Sequence, residues 1–151
     1  MSNDTSVELC RAHRDELALF MGWESEAESQ RFVGQNSLQE HQSQFDSEQY
    51  VYLKILSDKR PAGFILLVLS PDGRSVDFRR IVVCDKNGGT GQKAIVLLDA
   101  YCESQLERSR IWLNVYSFNH RGIHVYEKLG YRYFESEERE GKTLLCYEKN
   151  L

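Results

Sequence analysis

The hydrophobic pattern of this chain changes at one cluster of glycines, and this change restricts the folds open to it. Before the glycines, three apolar segments at 50–56, 62–69 and 75–83 follow one another, separated by turn sequences that contain proline or glycine. Such spacing predicts an antiparallel meander of strands. After the glycines, apolar residues recur at helical intervals over 94–106, which predicts a helix of about four turns.

Flanking segments predict the remaining elements. Upstream we expect a strand at 7–10, a helix from Asp15 that stops near Gly22, and a polar helix over much of 25–45, where Ser25 and Glu28 have the spacing of a capping box. Downstream we expect a strand at 111–116, a helix at 121–129 closed by Gly130 in the left-handed conformation, and strands at 131–134 and 143–147 that turn near 140–141. The order β-α-α-β-β-β-α-β-α-β-β predicts an α/β domain with a mixed, largely antiparallel sheet of about six to seven strands and about four helices.

Composition limits the class of protein. With 151 residues and no linker-like segment, the chain is expected to form a single domain over 1–151. Its net charge of −4 argues against nucleic acid as a partner, and its longest apolar run, at 64–69, is too short to span a membrane. The N-terminus lacks the pattern of a secretory signal, so we expect a cytoplasmic protein. Four scattered cysteines predict reduced thiols and no metal site.

The glycine cluster is the strongest indication of a ligand. A strand ending at Val83 runs into Gly88, Gly89 and Gly91, and a helix begins directly afterwards. Glycines allow a ligand to approach the backbone, and the first N–H groups of a helix favour an anion, so this junction predicts a phosphate or pyrophosphate site. A flexible turn without a ligand is the alternative.

Two known phosphate-binding patterns fit this junction poorly. A P-loop needs Ser or Thr directly after its lysine, where this chain has Ala94. A dinucleotide-binding fingerprint matches at Gly89, Gly91 and Ala94, but the acidic residue expected after the next strand is missing over 114–119. A nicotinamide-dependent oxidoreductase therefore remains only as an alternative function.

Two blocks resemble one family. Lys86-Asn87-Gly88-Gly89-Thr90-Gly91 resembles the acyl-coenzyme A pyrophosphate loop of the GNAT family, the Gcn5-related N-acetyltransferases, whose pattern is Gln/Arg-x-x-Gly-x-Gly/Ala. The segment from Asn119 to Arg132 is similar to the family's Asn-x-x-Ala-x-x-x-Tyr-x-Lys-x-Gly-Phe, with Gly122 in place of Ala and Tyr131 in place of Phe. Both blocks occur in the family's order and at its separation, and the predicted element order matches its fold over nearly the whole chain.

This resemblance implies direct transfer of an acetyl group from acetyl-coenzyme A, as cosubstrate, to a primary amine. It implies that a backbone N–H on the strand ending at 81–83 binds the thioester oxygen, that Tyr126 protonates the leaving thiolate, and that amides over 88–93 bind the diphosphate. The coenzyme-binding residues that it implies are Ile81, Val82, Val83, Gly88, Gly89, Thr90, Gly91, Gln92, Lys93 and Asn119.

Several of these residues have a structural alternative. By periodicity alone, Tyr126 is a core aromatic, and Asn119 suits the N-cap of a helix. For the general base we consider Asp77, which by strand alternation shares a face with residues 79, 81 and 83. A surface ion pair with Arg79 or Arg80 is the alternative for Asp77, and bound water replaces a dedicated base in many members of the family.

Other candidates stay open. The cluster of Glu135, Glu137 and Glu138 indicates an exposed loop more than a base, and the histidines, including His120 and His124, show no partner in the sequence. Trp23 either shapes the acceptor pocket or packs in the core. The acidic balance favours a small cationic amine as acceptor over a protein amine. A non-catalytic coenzyme-A-binding module is a further alternative, and both a monomer and a homodimer fit the sequence.

Overall fold

The computed structural model describes residues 6–25, 37–84 and 89–151. The strands are β1 (Val7–Arg11), β2 (Tyr50–Ser57), β3 (Arg60–Leu69), β4 (Ser75–Val83), β5 (Arg110–Tyr116), β6 (Arg132–Arg139) and β7 (Lys142–Asn150). The α-helices in this part of the chain are α1 (Leu17–Glu24), α2 (Leu38–Phe45), α3 (Thr90–Ser104) and α4 (His120–Lys128), and a 3-10 turn, Arg14–Glu16, leads into α1.

All seven strands form one sheet in the order β1-β2-β3-β4-β5-β7-β6. Neighbouring strands are antiparallel except β4 and β5, which are parallel. The exception follows from the connection, because α3 crosses over between β4 and β5 and returns the chain to the same end of the sheet. The predicted mixed α/β fold and its order of elements are confirmed.

Each face of the sheet carries its own core. On the face that we call the α3/α4 face, strand residues such as Ile65 and Phe78 pack against Ala94, Ile95 and Leu98 of α3. On the other side, the α1/α2 face, Tyr52, Phe64, Leu66 and Val82 pack against Leu17 and Phe20 of α1. Helices on both faces therefore bury the centre of the sheet, including the middle of β4.

A bulge in β4 changes which residues share a face. Leu66 pairs with Arg80, but the next residue of β3, Leu67, pairs with Phe78, so Arg79 is an extra residue in β4. The sequence-based expectation that Asp77 shares a face with residues 79, 81 and 83 is therefore wrong for residues 81 and 83. An extra residue reverses the alternation, so Ile81 and Val83 pack on the α3/α4 face, while Asp77 lies on the α1/α2 face.

Helix α1 and its surroundings also differ from the prediction. Helix α1 continues through Gly22 to Glu24, and Ser25 is its C-cap residue. The predicted partner of Ser25, Glu28, lies outside the described residues, as do residues 26–36 of the predicted polar helix. A capping box is present instead at Ser37, whose hydroxyl accepts from the Glu40 N–H at 3.1 Å while the Glu40 carboxylate accepts from the Ser37 N–H at 2.9 Å.

The last two strands are longer than predicted. β6 ends at Arg139 and β7 begins at Lys142, so the turn at 140–141 is confirmed. Gly130 has a φ of 98°, which confirms the predicted left-handed position after α4. In the part of the chain that the structure describes, there is no helix both long enough and apolar enough to cross a membrane.

Candidate active site

The strands β4 and β5 separate in the middle of the sheet. Their pairing covers three residue pairs, from Ser75 with Arg110 to Asp77 with Trp112. Beyond the last pair, β4 continues to Val83 and β5 continues to Tyr116 without pairing to each other. We call the resulting gap the β4/β5 opening. Along this gap, the backbone of β4 is available to a ligand in the middle of an otherwise continuous sheet.

Two backbone N–H groups of β4 point toward this opening. The Cys84 N–H donates to the carbonyl of Ala62 at 2.8 Å. Hydrogen-bonded and non-hydrogen-bonded residue pairs alternate along an antiparallel pair of strands. Val82 therefore belongs to the next hydrogen-bonded pair with β3. Ile81 and Val83 belong to non-hydrogen-bonded pairs, so their N–H groups point away from β3, toward the β4/β5 opening. Of the three residues predicted to supply the amide for the thioester oxygen, Ile81 and Val83 therefore have the required direction.

The N-terminus of α3 lies at the same end of the opening. Gly89 is its N-cap residue and has a φ of 72°, a left-handed conformation that glycine adopts without strain. Thr90 is buried, and its hydroxyl has no hydrogen-bond partner among the described residues. A Cβ added to Gly91 would lie 3.5 Å from Cγ2 of Val83, which places the first turn of α3 directly against the end of β4.

Not every predicted donor in this turn is available to a ligand. The Lys93 N–H donates to the Gly89 carbonyl at 3.1 Å within the helix. The first N–H groups of a helix have no partner inside the helix, so the amides of Thr90, Gly91 and Gln92 are the ones that fit an anion. A buried, unpartnered Thr90 hydroxyl beside them fits a phosphate as well. Gly88 lies outside the described residues.

Tyr126 lies over the start of the opening on the α3/α4 face. Its ring contacts Phe78 of β4 edge-on, with ring centroids 6.1 Å apart, and Tyr131 at 5.7 Å. Burial raises the pKa of Tyr126 to about 12, so its phenol is protonated at neutral pH. The predicted alternative of core packing is therefore observed, and it places the hydroxyl-bearing ring beside the last paired segment of β4.

Asp77 lies at the same point of β4 on the opposite face. It is 7% exposed, and Arg79 donates to its Oδ2 through Nη2 at 2.8 Å and Nε at 3.0 Å. Both bonds go to one oxygen, which leaves Oδ1 outside the ion pair. Burial raises the pKa of Asp77, and the charges of Arg79 and Arg139 offset part of that rise. A carboxylate with a raised pKa is a stronger base than an ordinary aspartate.

Asn119 is the N-cap residue of α4. Its side-chain oxygen accepts from the Gly122 N–H at 2.9 Å. A Cβ on Gly122 would lie 2.7 Å from Nδ2 of Asn119, so glycine at this position leaves room for the cap. The structural alternative for Asn119, capping of the helix, is thus observed, close to the end of β5, where the Asn119 N–H donates to the Tyr116 carbonyl at 2.9 Å. Contact with the coenzyme stays a prediction.

The remaining candidates lie further out or pack in the core. Trp23 stacks on Phe20 with ring centroids 5.6 Å apart. His120 and His124 are exposed on α4. On β6, the Glu137 carboxylate accepts from Arg139 at 2.6 Å, and Glu138 accepts from a threonine of β7. Within the described residues, no group of three His, Cys, Asp or Glu side chains could hold a metal ion.

Sequence reasoning missed one buried polar cluster on the α1/α2 face. Glu24 and His41 are both 0% exposed, and Nε2 of His41 lies 2.5 Å from Oε1 of Glu24. Arg80, the residue after the bulge, donates to the other oxygen of Glu24. These residues are far apart in sequence and follow no shared periodicity. The only sequence signal is a glutamate and a histidine on helices that pack against apolar strands, which is too common to single them out.

Comparison with known proteins decides the family. The sequence model of the acetyltransferase (GNAT) family matches residues 15–131. The chain belongs to this family. It is therefore an N-acetyltransferase that uses acetyl-coenzyme A as cosubstrate, and the site described above lies within the matched residues. No curated protein sequence matches the chain.

Solved structures show the same fold at low sequence identity. A mutant of the spermidine N-acetyltransferase SpeG from Vibrio cholerae is 15% identical, with a TM-score of 0.81 over 95% of this chain and 93% of that chain. The aminoglycoside acetyltransferase AAC(6')-Ib in complex with coenzyme A is 18% identical, with a TM-score of 0.81 over 96% and 95%. A domain from Methanocaldococcus jannaschii is 19% identical, with a TM-score of 0.80 over 98% and 100%.

Proposed function

We propose that this GNAT enzyme transfers the acetyl group by direct attack of a small cationic primary amine, and that the transfer takes place in the β4/β5 opening. One observation carries the proposal. Tyr126 contacts Phe78 on the α3/α4 face, and the preceding residue, Asp77, is the last β4 residue that pairs with β5 and lies on the α1/α2 face. A thioester in the opening would have a proton donor on one face and a proton acceptor on the other.

The N-terminus of α3 would hold the diphosphate of the coenzyme. The amides of Thr90, Gly91 and Gln92 present three N–H groups at the positive end of a 15-residue helix. The absence of side chains at Gly89 and Gly91 permits close approach of the backbone, and the Thr90 hydroxyl offers a further hydrogen bond. From there the coenzyme arm would run along the free edge of β4.

The free edge of β4 would polarise the thioester carbonyl. Negative charge develops on that oxygen during attack, and a fixed N–H stabilises it without reorganisation. Ile81 and Val83 are the two residues whose N–H groups point into the opening. Removal of one such donor in other enzymes lowers the rate by about 10²–10³-fold, which is the size of contribution that we assign to this edge.

Asp77 and Tyr126 would move the protons of the reaction. The cationic amine must first lose one proton to become a nucleophile, and Asp77 accepts it through Oδ1, the oxygen that Arg79 does not bind. A second proton leaves the nitrogen after the C–N bond forms, and it restores the proton that Tyr126 gives up. The thiolate of coenzyme A leaves with the electron pair of the broken C–S bond, and the Tyr126 phenol supplies its proton. The pKa of Tyr126, about 12, keeps the phenol protonated until the thiolate forms.

Charge supports a cationic acceptor. The chain has a net charge of −4. Asp77 lies on the α1/α2 face. Glu135 and Glu137 lie on the same face, because they pair with Cys146 and Leu144 of β7, whose side chains point away from the core of the α3/α4 face. The spermidine and aminoglycoside acetyltransferases of the same fold act on amines with several positive charges.

A thiol-release assay tests this function. The enzyme is incubated with acetyl-coenzyme A and a panel of polyamines, aminoglycosides, amino acids and lysine-containing peptides, and free coenzyme A is measured. We expect release with a small polycation and a large loss of that release in Asp77→Asn. Release with peptides alone would show that the acceptor is a protein amine and not a small amine. Binding of acetyl-coenzyme A without thiol release for any amine would support a non-catalytic module.

A further inference from the structure

A buried polar network crosses the aromatic core of the α1/α2 face. We call it the Glu24 network, and its members are Glu24, His41, Gln44, Tyr52 and Arg80. The two ring nitrogens of His41 contact Oε1 of Glu24 and the hydroxyl oxygen of Tyr52, each at 2.5 Å. The Tyr52 hydroxyl donates to Gln44 at 2.9 Å, and Arg80 donates to Oε2 of Glu24. The network joins α1, α2, β2 and β4.

The Glu24 network is not expected to contribute much to the stability of the fold. The side chains of Glu24 and His41 are 0% exposed and that of Arg80 is 11% exposed. Burying charged groups costs several kcal/mol per ion, and apolar replacements of similar volume are often equally stable or more stable. The surroundings would suit such a replacement, because Phe64 and Phe20 stack beside the network with centroids 4.6 Å apart. A role beyond packing is therefore expected.

The network ends at one particular peptide bond. Arg80 is the first residue after the bulge, and its side chain lies on the α1/α2 face, where Glu24 holds it. The next residue, Ile81, directs its N–H into the β4/β5 opening. The carbonyl of Arg80 and the N–H of Ile81 belong to the same planar peptide unit, so the direction of the N–H depends on how Arg80 is held.

We propose that Glu24, His41 and Arg80 are positioning residues for acetyl transfer, which fix the Arg80–Ile81 peptide so that the Ile81 N–H meets the thioester oxygen. This inference rests on the proposed function of that N–H. His41 of α2 fixes the carboxylate of Glu24 of α1, and this carboxylate binds the guanidinium of Arg80. The fixed Arg80 side chain then restrains the Arg80–Ile81 peptide, which lies next to a bulge and would otherwise deform more easily. None of the three side chains needs to touch the substrate.

Infrared spectroscopy of bound acetyl-coenzyme A gives a readout that a merely stabilising network would not change. With ¹³C at the thioester carbonyl, the stretching frequency of the bound ligand is compared with that of the free ligand. A hydrogen bond from Ile81 lowers this frequency. The variants are Glu24→Gln, which keeps the shape but removes the charge, and the double variant Glu24→Gln with Arg80→Met, which leaves no buried arginine without its partner.

Asp46→Asn is the matched control. Asp46 forms an ion pair with Arg14 at 3.0 Å at the end of α2, where both side chains are more than half exposed. Every variant is first titrated with acetyl-coenzyme A, since binding by α3 shows that the chain is folded. If Glu24→Gln alone does not bind, the double variant provides the comparison.

We expect the wild type and Asp46→Asn to show the same frequency shift. The network variants should lose at least half of it, at unchanged affinity for acetyl-coenzyme A, and kcat should fall by about tenfold to a hundredfold because the donor is misplaced. An undiminished shift in both network variants would overturn the inference. A wild-type enzyme that binds acetyl-coenzyme A without any shift would overturn the assignment of the amide itself, and the role of the network with it.

Discussion

Asp77 and Tyr126 flank the same point of β4 from opposite faces of the sheet. Tyr126 contacts the ring of Phe78, whose side chain points to the α3/α4 face, and Asp77 is the preceding residue, so its side chain points the other way. Asp77 also forms the last pair with β5. The separation of β4 and β5 thus begins between the partly buried Tyr126 and the buried carboxylate of Asp77, and this arrangement leads to the following predictions.

Asp77→Asn should lower kcat without unfolding the protein. The amide keeps the shape of the side chain but cannot accept the proton of the amine, so we expect a loss of about 10²–10⁴-fold. Steady-state kinetics with the best amine of the panel measures it. Asp15→Asn, at an exposed residue of the 3-10 turn, serves as the control and should retain full activity. Equal kcat in the two variants would remove Asp77 from the mechanism.

The same variant should also change how stability depends on pH. Burial raises the pKa of Asp77 in the folded chain, so the folded chain binds this proton more tightly than the unfolded chain does. The wild type should therefore gain stability relative to Asp77→Asn as the pH falls through that raised pKa, and lose it again as the pH rises. Denaturant titrations between about pH 4 and 8 measure the difference, starting just above the usual pKa of an aspartate. A wild type that loses stability relative to the variant on acidification would show a lowered pKa.

Tyr126→Phe should separate binding from chemistry. The ring contacts with Phe78 and Tyr131 survive, but the proton for the leaving thiolate is lost. We expect an unchanged Kd for acetyl-coenzyme A by calorimetry and a fall in kcat of about 10²-fold or more. The effect should shrink for an acyl thioester whose thiol is more acidic, since its thiolate leaves without protonation. Unchanged kcat would return Tyr126 to a packing role.

Gly91→Glu and Gly91→Gln test the coenzyme site, because the two new side chains have nearly the same size and differ in charge. A side chain can start from Gly91 without a clash with the described residues, because among them its Cβ would meet only Cγ2 of Val83, at 3.5 Å. Negative charge beside the diphosphate should weaken acetyl-coenzyme A binding by about fivefold or more relative to glutamine. The difference should diminish at high salt. Identical Kd values for both variants at low salt would place the diphosphate away from this turn.

Gly63→Ala should distort β4, the strand that carries the proposed donor amides. A Cβ at Gly63 would clash with the backbone carbonyl oxygen of Val82, so β3 and β4 must move apart. We expect a loss of about 1–3 kcal/mol in the free energy of unfolding. Gly22→Ala, in α1, is the matched variant, because its Cβ meets no described residue within 4 Å and it should stabilise the helix by about 0.5–1 kcal/mol. Similar stability changes in both variants would contradict the close packing of β3 on β4.

Much of the fold was accessible from the sequence because its signals are local. The proline and glycine turns delimit β2, β3 and β4, and the helical period after Ala94 marks α3. The bulge at Arg79 was not accessible, because an extra residue in a strand leaves no trace in hydrophobic alternation until its partner strand is known. For this reason strand alternation alone places Asp77 on the same face as Ile81 and Val83, which the structure contradicts.

The candidate site divides in the same way. Its backbone parts, at the end of β4 and the start of α3, follow from glycines at a strand-to-helix junction. The Glu24 network does not, because its hydrogen bonds join residues 17 and 56 positions apart. Such contacts depend on how α1 and α2 pack on the sheet, which single-sequence periodicity does not specify.

A crystal structure with an acetyl-coenzyme A analogue, in which a methylene replaces the thioester sulfur, tests the account most directly. We predict that the acyl oxygen lies about 2.7–3.1 Å from the backbone nitrogen of Ile81 or Val83, with the coenzyme arm between β4 and β5. An analogue bound with its acyl oxygen away from this edge, and with the β4/β5 opening empty, would contradict it.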